Sequence, residues 1–107
     1  MKINYQDQKI RKSLSSEKVA NMKYGKSLAE KIFKVIQYLE AAPDLFSVSP
    51  APPIRRHKLE GNYEGHFAVD LTKNIRLIFR PIDSFMNVSY QLNEIKDIYI
   101  VAIEDYH

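Results

Sequence analysis

The run Phe67-Ala68-Val69-Asp70-Leu71-Thr72-Lys73-Asn74-Ile75-Arg76-Leu77-Ile78-Phe79-Arg80 decides the fold. Phe67, Val69 and Leu71 alternate with His66, Ala68 and Asp70, the period of two that puts successive side chains on opposite faces of a strand. Thr72-Lys73-Asn74 supplies turn chemistry, and Ile75, Leu77 and Phe79 then resume the alternation. The segment reads as a hairpin with one apolar face. Arg76 and Arg80 stand on the other face, on either side of Ile78.

Working outward, Ile95 to Ile103 is rich in isoleucine, valine and tyrosine and reads as a last strand after a polar, irregular stretch from 81 to 94. Upstream, Leu28, Ile32, Val35, Ile36 and Leu39 follow helical spacing, so that helix must bury one face. Ser27 with Glu30 reads as its capping box, Gly25 as the terminator of one or two helical pieces before it, and Pro43 as its end. Pro50, Pro52 and Pro53 keep the connection extended, which excludes helix between 43 and 53. Lys2-Ile3-Asn4-Tyr5 alternates as a short opening strand. Strand, helices and then three strands joined by short loops predict an α+β class, with helices covering an antiparallel sheet.

A chain of 107 residues fits one domain, 1–107, with one core. At 45% apolar and 27% charged residues, the composition is that of a soluble globule. The absence of cysteine removes disulfides, thiolate nucleophiles and cysteine-based zinc sites. Met1 to Lys12 lacks the apolar run of a signal peptide, so a cytoplasmic location without membrane attachment is expected.

The net charge of +3 says less than its placement, because residues 54 to 80 hold four of the five arginines. Arg55, Arg56, Lys58, Lys73, Arg76 and Arg80 are the candidate substrate-binding cations, since a guanidinium donates two parallel hydrogen bonds to phosphate. A solvated basic surface is the plain alternative. Cations combined with histidine suit RNA cleavage, where the ribose 2′-hydroxyl attacks its own phosphate and the protein supplies a base, an acid and charge stabilisation. Of the three histidines, His66 has a structural reading, while His57 lies among the cations and His107 ends the chain. In regular strand geometry Asp105 shares a face with His107 and can orient its imidazole, and Tyr106 either stacks on a base or packs against the fold.

Two motifs carry a family resemblance. Arg55-Arg56-His57-Lys58-Leu59-Glu60-Gly61 is similar to an R-x-H-x-L-x-G pattern, followed by Gly65-His66-Phe67-Ala68-Val69-Asp70 and Ile75-Arg76-Leu77-Ile78-Phe79, and Asp105-Tyr106-His107 closes the chain. Tyr24-Gly25-Lys26 and Leu39-Glu40-Ala41-Ala42 extend the likeness over most of the sequence. Together they resemble the RelE/ParE superfamily of toxins, and within it the HigB type.

The resemblance implies a RelE-like, microbial-RNase-shaped fold, with an N-terminal strand and two helices on a small antiparallel sheet. It implies a ribosome-dependent mRNA endonuclease, without metal or other cofactor, neutralised by a helix-turn-helix antitoxin in a hetero-oligomeric complex. Carried over by motif position, His57, Asp105, Tyr106 and His107 are the catalytic candidates, with Arg76 and Arg80 as phosphate binders and Lys58 as a helper. Two other classes stay open: a ParE-type toxin that inhibits gyrase by binding, and an RNA-binding module without chemistry.

Overall fold

The computed structural model describes residues 1–82 and 91–105. Its elements run β1 (Lys2–Tyr5), α1 (Gln8–Ser13), α2 (Glu17–Tyr24), α3 (Lys26–Ala41), β2 (His57–Lys58), β3 (Phe67–Asp70), β4 (Ile75–Ile82) and β5 (Asp97–Asp105). The five strands form one sheet in the order β1-β5-β4-β3-β2.

The hairpin forms in the expected place, with Phe67 opposite Phe79 and Asp70 opposite Arg76. The sheet was expected to be antiparallel, but β1 runs parallel to β5, Ile3 beside Ile98 and Asn4 beside Tyr99. Three helices intervene between β1 and the rest of the sheet, and a crossover connection of that length is what parallel neighbours need. The fifth strand, β2, is only His57 and Lys58, paired with Ala68 and Phe67. It docks the basic segment directly onto the sheet.

Gly25 does more than end α2. With φ 84 and ψ 152 it is the C-cap of α2 and the N-cap of α3 at once, accepting from Ala29 N while donating to Asn21 O. A backbone of this shape is all but restricted to glycine. The capping box expected at Ser27 and Glu30 is therefore absent: Ser27 already lies inside α3, which has no side-chain cap. Pro43 ends α3 as expected, and the linker holds no α-helix, only a 3-10 turn at Leu45–Ser47 capped by Asp44 Oδ1 on Ser47 N at 2.9 Å.

Helices and sheet enclose one core. Ile32 and Leu39 of α3, Leu45, and Val69, Leu77, Phe79, Ile98 and Ile100 of the sheet have no exposed surface. Phe67 and Phe79 stack at 6.1 Å between ring centroids. Burying each such aliphatic or aromatic side chain contributes about 1.5–3 kcal/mol. A smaller cluster of Leu59, Ala68 and Ile78, joined by Tyr63, Val101 and Ala102, lies on the opposite face of the sheet. No residue of the three helices belongs to it. Among the described residues, no helix is long and apolar enough to cross a membrane.

Candidate active site on the face of the sheet away from the helices

Strand register sorts the polar residues of this face into rows. His57, Ala68, Ile78 and Ala102 lie across β2, β3, β4 and β5 in one row. Asp70, Arg76 and Glu104 form the row on one side of it, and Asn4, Tyr99 and Arg80 the row on the other. Adjacent rows are about 6.6 Å apart, which separates Arg76 and Arg80 by about 13 Å along β4. His57 and Arg76 are roughly 12 Å apart at Cα on the same spacings, within joint reach of a histidine and an arginine side chain.

A bulge decides which carboxylate joins them. Between Ile78 and Phe79 the register slips, so that Ile78 faces Ala102 while Phe79 faces Ile100 and Val101 is the extra residue on β5. Beyond this point Ile103 turns to the helix side, where it packs against the main core, and Glu104 comes to lie opposite Arg76. Arg76 Nη2 donates to Glu104 Oε1 at 2.8 Å, and Tyr63 donates its phenol proton to Glu104 Oε2, also at 2.8 Å. Tyr63 therefore holds its proton above the ordinary value of 10.0, first through this hydrogen bond and then through burial and the charge of Glu104.

His57 is half-buried, and its Nδ1 lies 2.7 Å from the carbonyl of Arg55. A carbonyl can only accept, so Nδ1 carries the proton and Nε2 keeps the lone pair a general base needs. Local backbone geometry makes this contact. Arg55 sits at φ 49, in the left-handed region, and its guanidinium forks onto Asp70, Nε to Oδ2 at 2.7 Å and Nη2 to Oδ1 at 3.0 Å. That pair helps offset the roughly 1–2 kcal/mol a non-glycine residue costs there.

The remaining predicted cations divide sharply. Arg56 Nη1 donates to three carbonyls, Leu45 at 2.9 Å, Phe46 at 3.2 Å and Val48 at 2.7 Å, so Arg56 ties down the proline-rich linker rather than offering itself to RNA. Burial lowers its pKa. Lys58 is exposed but stands opposite Phe67, on the other side of the sheet from His57. Lys73 is exposed in the turn between β3 and β4. Arg80 lies over the Tyr99 ring, 5.2 Å from its centroid, with Nη2 3.3 Å from Gln6 Oε1.

Asp105 pairs with Ile75, which puts it on the helix side, while Glu104 is the residue opposite Arg76. Tyr106 and His107 lie outside the described residues. Sequence reasoning missed Glu104 and Tyr63. The signal for Glu104 was its place one residue before the Asp105 motif, but the bulge that swaps the two has no sequence marker.

No family model and no curated protein sequence matches this chain. Solved structures do. A YoeB/ParE toxin from Agrobacterium tumefaciens superposes with a TM-score of 0.60 at 14% identity, covering 100% of both chains. A chain of the YoeB-YefM complex from Staphylococcus aureus gives a TM-score of 0.58 at 14% identity, covering 100% of this chain and 97% of its own. A second structure of that toxin-antitoxin pair, a heterotetrameric complex, gives the same values. From first strand to last, then, the chain has the fold of the YoeB/ParE toxins.

Proposed function

We propose that this protein is the toxin of a toxin-antitoxin pair, a RelE-superfamily enzyme of the HigB type that cleaves mRNA on the ribosome in the cytoplasm. The observation that carries the reading is the row arrangement: His57, with its tautomer set by the Arg55 carbonyl, shares a sheet face with Arg76 and Arg80. The fold shared with toxins solved beside an antitoxin supports an antitoxin partner for this chain as well.

In this mechanism the RNA supplies its own nucleophile. His57 Nε2 accepts the ribose 2′ proton, the 2′ oxygen attacks the adjacent phosphorus, and the P–O5′ bond breaks with a proton delivered to the leaving oxygen. Arg76 stabilises the negative charge that builds on the phosphorane. His107 is the proposed acid and Tyr106 a stacking or proton-donating neighbour. Asp105, paired with Ile75, is kept only as a candidate for orienting His107 from the strand end. Arg55 acts on the site by positioning, through its carbonyl. The expected products are a 2′,3′-cyclic phosphate and a 5′-hydroxyl.

Tightly controlled expression tests the reading. Wild type is expected to arrest growth, with transcripts cut, and His57→Ala and His107→Ala to relieve the arrest; undiminished arrest by both variants overturns the assignment. The neighbour described as YoeB/ParE keeps one second reading in view, a ParE-type gyrase inhibitor. Inhibited supercoiling with intact transcripts would favour it.

A further inference from the structure

The row of Asn4, Tyr99 and Arg80 opens onto a groove of about 490 Å³ at the β1 edge of the sheet, lined by Asn4, Tyr5, Gln6, Asp7, Arg11 and Tyr99 among others. Its size falls in the range of pockets that hold one small-molecule-sized group. We infer that this groove is a nucleotide subsite, taking one unpaired nucleotide of a single-stranded RNA next to the phosphodiester held at Arg76. The inference rests on the proposed RNA-cleaving role and adds to it where the neighbouring part of the strand lies.

Three features fit an unpaired nucleotide. Tyr99 is half-exposed with Arg80 over its ring, so aromatic and guanidinium together make a platform on which any base can stack. Asn4 Nδ2 donates to the Ile98 carbonyl at 3.1 Å, which fixes the amide and leaves Oδ1 as an acceptor for an exocyclic amino group. The exposed Arg11 in the lining and the half-buried Arg80 beside it supply charge for the sugar-phosphate. Asp7, the one carboxylate in the lining, has Oδ1 engaged by the Ile10 N–H at 2.9 Å as the cap of α1.

Spacing links the groove to the proposed chemistry. Arg80 and Arg76 stand on the same face of β4 about 13 Å apart, with the small apolar surface of Ile78 and Ala102 between them. One extended strand can therefore run from the groove across the sheet to Arg76. The occupant is RNA rather than a protein segment because Arg11 in the lining and Arg80 beside it, on Tyr99 and Gln6, stand with an aromatic platform and polar amides, and the lining is more polar than apolar.

The test measures binding of a 2′-O-methylated hexaribonucleotide, which cannot be cut, to the full chain and its variants by fluorescence anisotropy. Tyr99→Leu keeps bulk but loses the ring and is expected to weaken binding about tenfold, the scale of one lost base stack. Tyr99→Phe keeps the ring and is expected to bind within threefold of wild type, and its normal thermal unfolding would exclude a general loss of structure. Wild-type affinity in Tyr99→Leu overturns the subsite, as does a loss of antitoxin binding without any loss of RNA binding. Because the oligonucleotide is not a substrate, ring-dependent binding without RNA cleavage overturns the nuclease reading and leaves the subsite standing. Cleavage with ring-independent binding overturns the subsite alone.

Discussion

Glu104 accepts a hydrogen bond from Arg76 at 2.8 Å across the β4–β5 register, so the guanidinium best placed for a phosphate is already paired with a carboxylate. Tyr63 holds the second oxygen of the same carboxylate. A phosphate reaching Arg76 must compete with Glu104, and under the proposed function the strength of that competition sets how tightly RNA is held.

Glu104→Gln is expected to lower KM for RNA by up to about fivefold with kcat little changed, since a partly exposed ion pair contributes about 0–1 kcal/mol. Arg76→Ala is expected to lower kcat about a hundredfold, the usual effect of removing one donor to a developing oxyanion. Steady-state kinetics on a programmed ribosome separates the two. A collapse of kcat in Glu104→Gln would make Glu104 a base instead.

Tyr63 titrates above its ordinary 10.0 in the folded protein because Glu104 accepts from its hydroxyl. A raised folded-state pKa contributes stability that is complete below the unfolded value and is lost as pH rises through the folded one. Wild type should therefore lose stability above about pH 10, and Tyr63→Phe should lose less over the same interval. Tyr5, also raised, first by burial, keeps part of the slope in the variant. Urea unfolding at stepped alkaline pH measures both, and identical slopes would contradict the Tyr63–Glu104 link.

Arg56 is expected to matter for stability and not for turnover. Arg56→Ala removes the donor that Nη1 offers to the carbonyls of Leu45, Phe46 and Val48, at a cost of about 2 kcal/mol in chemical denaturation. Its kcat should stay within twofold of wild type. A selective loss of RNA affinity would restore Arg56 as a ligand.

What the sequence made legible was whatever repeats with a period. The hairpin from Phe67 to Arg80 and the buried stripe of α3 each carry several apolar residues at one spacing, and both stand where expected. β2 was illegible because two residues have no period, yet it is what puts His57 in the row of Ala68 and Ile78. The parallel pairing of Ile3 with Ile98 joins segments too distant in the chain for local pattern to connect. Adjacent arginines read alike, but backbone carbonyls claim the Arg56 side chain and Asp70 that of Arg55. That Glu104 and not Asp105 shares the face of Arg76 comes from one extra residue, Val101, whose bulge inverts the side chains from Ala102 to Asp105.

Gly25→Ala should cost about 1–3 kcal/mol through backbone strain alone, because a Cβ there meets nothing within 4 Å while φ stays at 84. Thermal or urea unfolding checks it. An unchanged midpoint would mean that α2 and α3 can join through another conformation.

The central claim is that the His57–Arg76 face promotes attack by a ribose 2′ oxygen. Its most direct test is a ribosome-bound mRNA carrying a single 2′-deoxy substitution at the nucleotide whose all-ribose form is cut. The account predicts that wild type no longer cuts at that position and that His57→Ala cuts neither RNA. Continued cutting at the deoxy position would contradict it.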